Sequence, residues 1–484
     1  MTEAGGRTFA QNAGLVAGIA ALAAVLLLPP PPGMTSAAWI VAGTMVLMAC
    51  WWATEALPLA ATALVPLAIL PPLDAVSAAD LAQGYGNTTL FLILGGLLLG
   101  LAMERCGLHR RIAYAIVTRA GGHPQRLVLG MMCATAFVSM WVQNTSTTLI
   151  MIPVALSVAA IVAPDTNTAD RNAANFGKAI VLCVAYAATI GGLGTLIGTA
   201  TNALVVGFMQ QSYGETITFA QWLAFGIPTV VLLLPVAWLV LVRIAFPFRL
   251  GEQAAARDRL ADAHRGLGPM TTAERRMAMV LLVTATLWIF GPLVQRLPGL
   301  GAWNDTTTAL LAGLVLCVVQ NGTREGGGLL IGADIRRVPW DVLLLFGGGL
   351  ALAEAIQGSG LSAYLGVVLG DIGTLPLVLL IATMVALLVF WTEFNSNVAT
   401  AATFMPILAA IAAASDHSVL QLVAPAAIAA SCGFMLPVGT PPNAIVFGTG
   451  RLTMQEMIRS GWRVNLAAIA VVTLVSMVVI PLID

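Results

Sequence analysis

Two short polar loops carry most of the chemistry open to this chain. The first reads Trp141-Val142-Gln143-Asn144-Thr145-Ser146-Thr147-Thr148 and runs on through apolar residues to Pro153. The second reads Phe394-Asn395-Ser396-Asn397-Val398-Ala399-Thr400-Ala401 and runs on to Pro406. Asn144 matches Asn397, Thr147 matches Thr400 and Pro153 matches Pro406, each at a separation of 253 (397 − 144). Amides and hydroxyls set in strongly apolar surroundings are costly unless something satisfies them. Asn144, Thr145, Ser146 and Thr147 in one loop, with Ser396, Asn397 and Thr400 in the other, offer the donors and acceptors of two half-sites facing one solute. Helices starting at these loops would turn backbone N–H groups toward an anion.

A third element also occurs twice. Residues 191–207 contain Gly198-Thr199-Ala200-Thr201-Asn202, and residues 432–448 contain Gly439-Thr440-Pro441-Pro442-Asn443. Glycine, threonine and proline inside apolar runs mark an unwound helix whose freed carbonyls need a partner, a bound cation being one candidate. Close helix packing through glycine is the other reading. Oxygen-only sites of this kind suit a hard cation such as Na⁺. No lysine or arginine lies in 127–163, 179–214, 376–415 or 421–450, so in these stretches an anion finds no fixed positive side chain, and co-bound cations must supply much of the charge. Glu393, four residues before Asn397, is the charged side chain of the second loop region; the first has Met140 there. It could carry a proton or hold the loop in shape, and the lack of a first-half counterpart favours the structural role.

These elements need a membrane around them. Of 484 residues 59% are hydrophobic and 9% charged, with mean hydropathy +0.92. Soluble domains carry about 25% charged residues, so the chain reads as an all-α polytopic membrane protein surrounded by lipid. A net charge of zero argues against nucleic acid as a partner. The six cysteines are scattered and form no CxxC pair. No HExxH motif or metal-ligand cluster occurs in the spans, which argues against an enzyme. Polarity confined to two loops and two broken helices argues against a continuous pore.

Eleven spans are expected, at 13–28, 37–55, 57–71, 88–104, 179–208, 222–247, 277–297, 305–320, 341–357, 421–448 and 462–482. The run 13–28 reads as the first span, not a signal peptide. Two further stretches, 127–163 and 376–414, each hold a polar loop at the centre and read as re-entrant hairpins, with two kinked helices as the alternative. Three basic groups lie at Arg105 to Arg126, at Arg243 to Arg276 and at Arg324, Arg336 and Arg337. Placing all three in the cytoplasm puts the N-terminus inside and the C-terminus outside. Segment 105–120 reads as an interfacial helix or a solvated loop, and Trp39, Trp51 and Trp52 as interface anchors.

The repeat extends beyond the loops. Gly95-Gly96 matches Gly348-Gly349, and Gly107-Leu108 matches Gly360-Leu361. In this topology 88–104 and 341–357 run in opposite directions, an inverted repeat. The chain divides into a tail and first helix (1–36), a first repeat (37–248) containing hairpin 127–163, a cytoplasmic loop (249–276), and a second repeat (277–484) containing hairpin 376–414.

With Trp52-x-Thr54-Glu55-Ala56-Leu57-Pro58, the two Ser-Asn-Thr-type loops and the run Phe434 to Ala444, the chain resembles the divalent-anion:sodium symporters, carriers of dicarboxylates, citrate and sulfate. The likeness covers roughly residues 37–484. It implies a homodimer in the inner (cytoplasmic) membrane working by an elevator motion. It implies sodium positions at Ser139, Gln143, Asn144 and Gly198 and at Thr392, Ser396, Asn397 and Gly439, and substrate contacts at Asn144, Thr145, Asn397, Val398, Thr440 and Pro441. Two residues depart from the pattern. Gln143 stands where the family usually has serine, and Val398, which cannot donate a hydrogen bond, stands where it usually has threonine. The expected function is sodium-coupled uptake of a small divalent anion, a C4-dicarboxylate above others. The alternative is a proton-coupled carrier or an anion exchanger for tartrate, citrate or sulfate.

Overall fold

The computed structural model describes residues 7–162, 170–251, 254–323, 326–415 and 417–483. Arg324, residues 1–6 of the tail and residue 163 at the end of the first hairpin stretch lie outside them. Regular structure among the described residues is helical, apart from one isolated bridge between Gln320 and Gly328.

The chain opens with α1 (Phe9–Leu27) and α2 (Ser36–Thr54), which pack on each other. Thr8 and Thr35 cap them by accepting from the backbone N–H three residues on, and prolines 29–32 prevent α1 from continuing. The expected span 57–71 is broken into α3 (Leu59–Thr62) and α4 (Val65–Ile69), followed by α5 (Ala78–Tyr85) and α6 (Thr88–Cys106). Then come α7 (Leu108–Arg119), α8 (Pro124–Ser139), α9 (Asn144–Val162), α10 (Arg171–Gly192), α11 (Ala200–Tyr213) and α12 (Phe219–Leu239), the last prolonged by a π-turn at Val240–Ala245. Segment 249–276, expected as a loop, contains α13 (Ala254–Gly266), which packs on α7 and α9 and buries Leu260. The second half holds α14 (Thr272–Ile289), α15 (Gly291–Val294), α16 (Asp305–Val318), α17 (Gly332–Ile335), α18 (Trp340–Gly358) and α19 (Leu361–Gly373). It ends with α20 (Leu377–Trp391), α21 (Asn397–Ala413), α22 (Val419–Ser431), α23 (Pro441–Phe447) and α24 (Met454–Ile483).

Among the described residues, seven helical segments are long and apolar enough to cross a membrane. The other expected spans fall on α3–α4, α14, α16 and α22–α23. Large apolar side chains stay exposed along α14 and α16, among them Met279, Leu282, Leu314 and Val318. In a chain of this composition such a belt faces lipid or another membrane helix. Segment 105–120 is not a solvated loop: α7 occupies it and buries Leu108, Ala113 and Val117. Trp52 is not an interface anchor. It is 1% exposed and donates its indole N–H to Leu59 O at 3.2 Å.

The two halves are antiparallel copies. Gly107 after α6 and Gly360 after α18 have φ of +80° and +84°, a conformation that favours glycine, and each turns the chain into the next helix. At the end of α6, Arg105 pairs with Asp334 and Glu104 with Arg337, just before α18 begins. At the opposite end, Gln211 binds both Asn87, before α6, and Glu354, late in α18. Equivalent helices therefore run in opposite directions. The same face carries Arg111, which pairs with Glu274 and donates to the carbonyls of Leu267, Gly268 and Pro269. Residues from the three basic groups thus share one face.

Each polar-loop stretch is two helices, not one kinked helix. The tip of α8 lies against the end of α10, with Ser139 Oγ 2.7 Å from Ala188 O. The start of α9 lies there too, since a Cβ on Gly192 would come within 2.4 Å of Asn144 Oδ1. Because α9 is joined to the start of α10 by a short connection, it must run back along α10. The same logic holds for α20 and α21 against α22, with Thr392 Oγ1 2.6 Å from Ala430 O.

Candidate functional site

The two hairpin tips and the two helix breaks meet around a cavity of about 710 Å³. Four helices begin at its wall: Asn144 and Thr145 open α9, Ala200 and Thr201 open α11, Asn397 and Val398 open α21, and Pro441 and Pro442 open α23. The starts of α9, α11 and α21 each carry about half a positive charge; α23 adds little, because Pro441 and Pro442 have no N–H and Asn443 N is taken by Thr440. Among the described residues no lysine or arginine lines the cavity, and Glu55 is its one charged lining side chain. The wall therefore offers an anion backbone dipoles and neutral polar groups.

The sequence-derived residues fall in two layers. Gln143, Asn144, Thr145, Gly198, Ser396, Asn397, Val398, Gly439, Thr440 and Pro441 line the cavity. Ser139 and Thr392 do not; they are fully buried behind the loops. Ser139 Oγ is 2.7 Å from both Ala188 O and Asn144 Oδ1. Thr392 Oγ1 is 2.6 Å from Ala430 O and 2.8 Å from the Asn397 amide. The Asn397 amide suits its neighbours with its nitrogen turned inward, donating to Ala430 O at 3.1 Å, Gly439 O at 3.3 Å and Thr392 Oγ1 at 2.8 Å. Three oxygens thus converge on one point behind the second loop. Thr147 and Thr400, expected in the site, point away from it: both are buried, and Thr147 Oγ1 donates to Val142 O. Ser146 lines a separate small cavity beside Glu104 and Arg337, which Gln143 also touches.

The helix breaks hold themselves open. Asn202 Nδ2 donates to Gly192 O at 3.0 Å and Thr195 O at 2.8 Å. Asn443 Nδ2 donates to Gly433 O at 3.1 Å and Leu436 O at 3.0 Å. Part of the work expected of a cation on the freed carbonyls is therefore done by these two asparagines. Thr199 and Thr440 cap the restarting helices by accepting from Asn202 N and Asn443 N.

Glu393 lies behind the cavity and does not line it. It is 1% exposed, and Oε1 accepts from Phe434 N, Met435 N and Asn465 Nδ2 while Oε2 accepts from Leu436 N, all at 2.7–2.8 Å. It ties the tip of the second hairpin to the second break.

Several wall residues were missed from sequence. Thr8 and Gln11 at the start of α1 reach the cavity, with Gln11 Nε2 donating to Glu55 O. Glu55, directly after α2, sits on the wall with φ +49°. Thr201 and Ser431 join the halves through a 2.6 Å hydroxyl contact. Only Thr201 was foreshadowed, by its place beside Thr199 and Asn202.

Residues 9–483 match the family model described as the sodium:sulfate symporter transmembrane region. The chain belongs to this family. It is 40% identical over 439 residues to the sodium-dependent dicarboxylate transporter SdcS of Staphylococcus saprophyticus subsp. saprophyticus, covering 90% of this chain and 84% of that protein. It is 39% identical over 444 residues to SdcS of Staphylococcus aureus strain MW2, covering 90% and 85%. Among solved structures it is similar to the YdaH transporter of Alcanivorax borkumensis, with a TM-score of 0.60 and 16% identity, covering 91% of this chain and 98% of that one. That last likeness bears on the fold alone. The protein is a multi-pass membrane transporter of the sodium:sulfate symporter family, not an enzyme.

Proposed function

We propose that this protein is a sodium-driven symporter for a small divalent anion, a C4-dicarboxylate, in the inner (cytoplasmic) membrane. The observation that carries this reading is the cavity wall: three helix starts with free N–H groups and, among the described residues, no basic side chain. A dianion there is attracted by dipoles but not neutralised, so its charge must be balanced by mobile cations. The names of the relatives support sodium as that cation and a dicarboxylate as the cargo.

Each half contributes one cation position and one side of the anion site. Gln143, Asn144, Gly198 and Ser139 form the first position, and Thr392, Ser396, Asn397 and Gly439 the second. If the Asn397 amide turns over, its Oδ1 joins the oxygens of Thr392, Ala430 and Gly439 in an all-oxygen cradle suited to a hard monovalent ion. Thr145, Asn144, Asn397 and Thr440 then face the carboxylates, with Val398 and Pro441 giving apolar contacts. Glu393 is ill placed to shuttle a proton to the cavity, because its oxygens are taken by N–H donors on the far side of the loop. The carrier works as a homodimer in which the helices bearing the hairpins slide as a body against the remainder. The packing supports such a division: α8, α9 and α10 pack on one another, α12 and α24 link them to α20 and α22, and α6, α14 and α16 pack together.

Uptake of labelled succinate into proteoliposomes tests the proposal. An inward Na⁺ gradient should drive accumulation that disappears when choline replaces sodium. Equal accumulation in both would overturn the coupling.

A further inference from the structure

Two guanidiniums of the second basic group take no part in the transport site. Arg243 lies on the π-turn that prolongs α12, and Arg249 follows six residues later. Both are exposed. Among the described residues neither pairs with a carboxylate, whereas Arg105, Arg111, Arg265 and Arg337 each do. Together with Gln125, Asn172 and Phe248 they line a cavity of about 470 Å³. Its wall is held in shape. Asn175 Nδ2 donates to Pro247 O at 2.7 Å, Arg249 N donates to Asn172 Oδ1 at 2.9 Å, and the Phe248 ring stands edge-on to Phe176 with centroids 5.4 Å apart. These contacts fix the strap 246–249 on the start of α10. Across the cavity α8 starts at Pro124 without a side-chain cap, which leaves the N–H groups of Gln125 and Arg126 without a helical partner. Arg126 and Arg171 adjoin lining residues in the chain, and Asp170, the acid next to Arg171, is engaged as the cap of α10.

So positive a pocket calls for an anion, and its place in the fold selects the kind. Segment Phe219–Ala245 is long and apolar enough to cross a membrane, and the pocket sits at its end, on the face that carries the basic groups. From there Leu239, Leu232 and Val231 stay exposed along α12, with Ile244 exposed on the turn. Guanidiniums beside an apolar stripe match the two parts of a phospholipid, its phosphate and its acyl chains. We infer that this pocket binds the headgroup of an anionic glycerophospholipid of the cytoplasmic leaflet. Arg243 and Arg249 hold the phosphate oxygens, and an acyl chain lies along the exposed face of α12. Free phosphate offers the same oxygens but leaves the stripe uncovered. The bound lipid ties the foot of the first hairpin, α8, to α10 and α12. The pocket shares no lining residue with the cavity between the hairpin tips.

The test is a titration of dioleoyl phosphatidylglycerol into the purified full-length protein in neutral detergent, with the thermal unfolding midpoint as the readout. Choline chloride buffer keeps sodium-dependent loading of the central cavity out of the measurement. The midpoint should rise saturably, while dioleoyl phosphatidylcholine and inorganic phosphate give little. Arg243→Gln and Arg249→Gln should each move half-saturation to about fivefold more lipid, and the double variant to about twentyfold more or beyond. Arg265→Gln, which removes an arginine of the same basic group paired with Asp262, should leave it in place. If the arginine variants do not fold, Gln125→Glu keeps both guanidiniums, sets a carboxylate among them and should weaken the response by at least as much as either single variant. Equal stabilisation by phosphatidylcholine or by inorganic phosphate, an unmoved double variant, or an equal shift in Arg265→Gln overturns the inference. Each of these results leaves the sodium-symport reading standing.

Discussion

Asn202 reaches back across the break between α10 and α11 and donates to Thr195 O at 2.8 Å. The same amide nitrogen serves Gly192 O, so one side chain satisfies two carbonyls that the helix gave up. Asn202→Ala leaves Gly192 O unpaired in a buried setting, at roughly 1–3 kcal/mol, and leaves Thr195 O with only the Gly198 N–H. We expect a lowered unfolding temperature, measured in detergent, together with lost uptake. Asn443→Ala should behave the same way, because Asn443 plays this part in the second break.

Gly192 faces Asn144 so closely that a Cβ would come within 2.4 Å of Asn144 Oδ1. Gly192→Ala must therefore push the amide out of its place between α8 and α10. We expect a variant that folds but shows weaker sodium-dependent stabilisation, read from melting curves with and without NaCl. An unchanged sodium response would show that Asn144 does not need this position.

Val398 puts an apolar side chain on the wall where Thr145 puts a hydroxyl on the other side. Val398→Thr restores a donor at near-constant volume. One added hydrogen bond contributes about 0.5–1.5 kcal/mol, so the dicarboxylate should bind roughly two- to tenfold more tightly in sodium buffer. Isothermal titration would measure the change.

The architecture was legible where chemistry is written twice. The repeated Asn-containing loops and the Gly-Thr-x-x-Asn element gave the hairpins and the breaks, because polar residues in apolar runs have few other uses. Partners set by the folded chain were not legible. Nothing near Glu393 in sequence announces that its acceptors serve Phe434, Met435, Leu436 and Asn465, 41 to 72 residues on. Thr147 and Thr400 match at the repeat spacing, yet one helical turn into α9 and α21 they face the interior, which loop composition alone does not reveal. Glu55 was not placed in the site from sequence, because a carboxylate on the wall of an anion cavity runs against simple charge matching. Span 57–71 was found as an apolar run, but its division into α3 and α4 was not foreseen.

His109 in α7 is 3% exposed, and its Nδ1 lies 2.9 Å from Met103 O, so that nitrogen carries the proton of a neutral ring. Burial holds its pKa below the ordinary imidazole value, with the Met103 contact opposing. The unfolded chain then binds a proton more readily than the folded one. Stability present above about pH 6.5 should fall as the pH drops through that value and level off below the folded-state pKa. His109→Gln should flatten this part of the profile in melts between about pH 7 and pH 5.

The central claim is that an anion resides in this cavity only beside mobile cations. It is tested most directly by calorimetric titration of succinate into the purified carrier, once in sodium chloride and once in choline chloride of equal ionic strength. The account predicts saturable binding in sodium, none in choline, and loss of the sodium-dependent signal in Asn144→Ala and Asn397→Ala. Binding of equal strength in choline would contradict it.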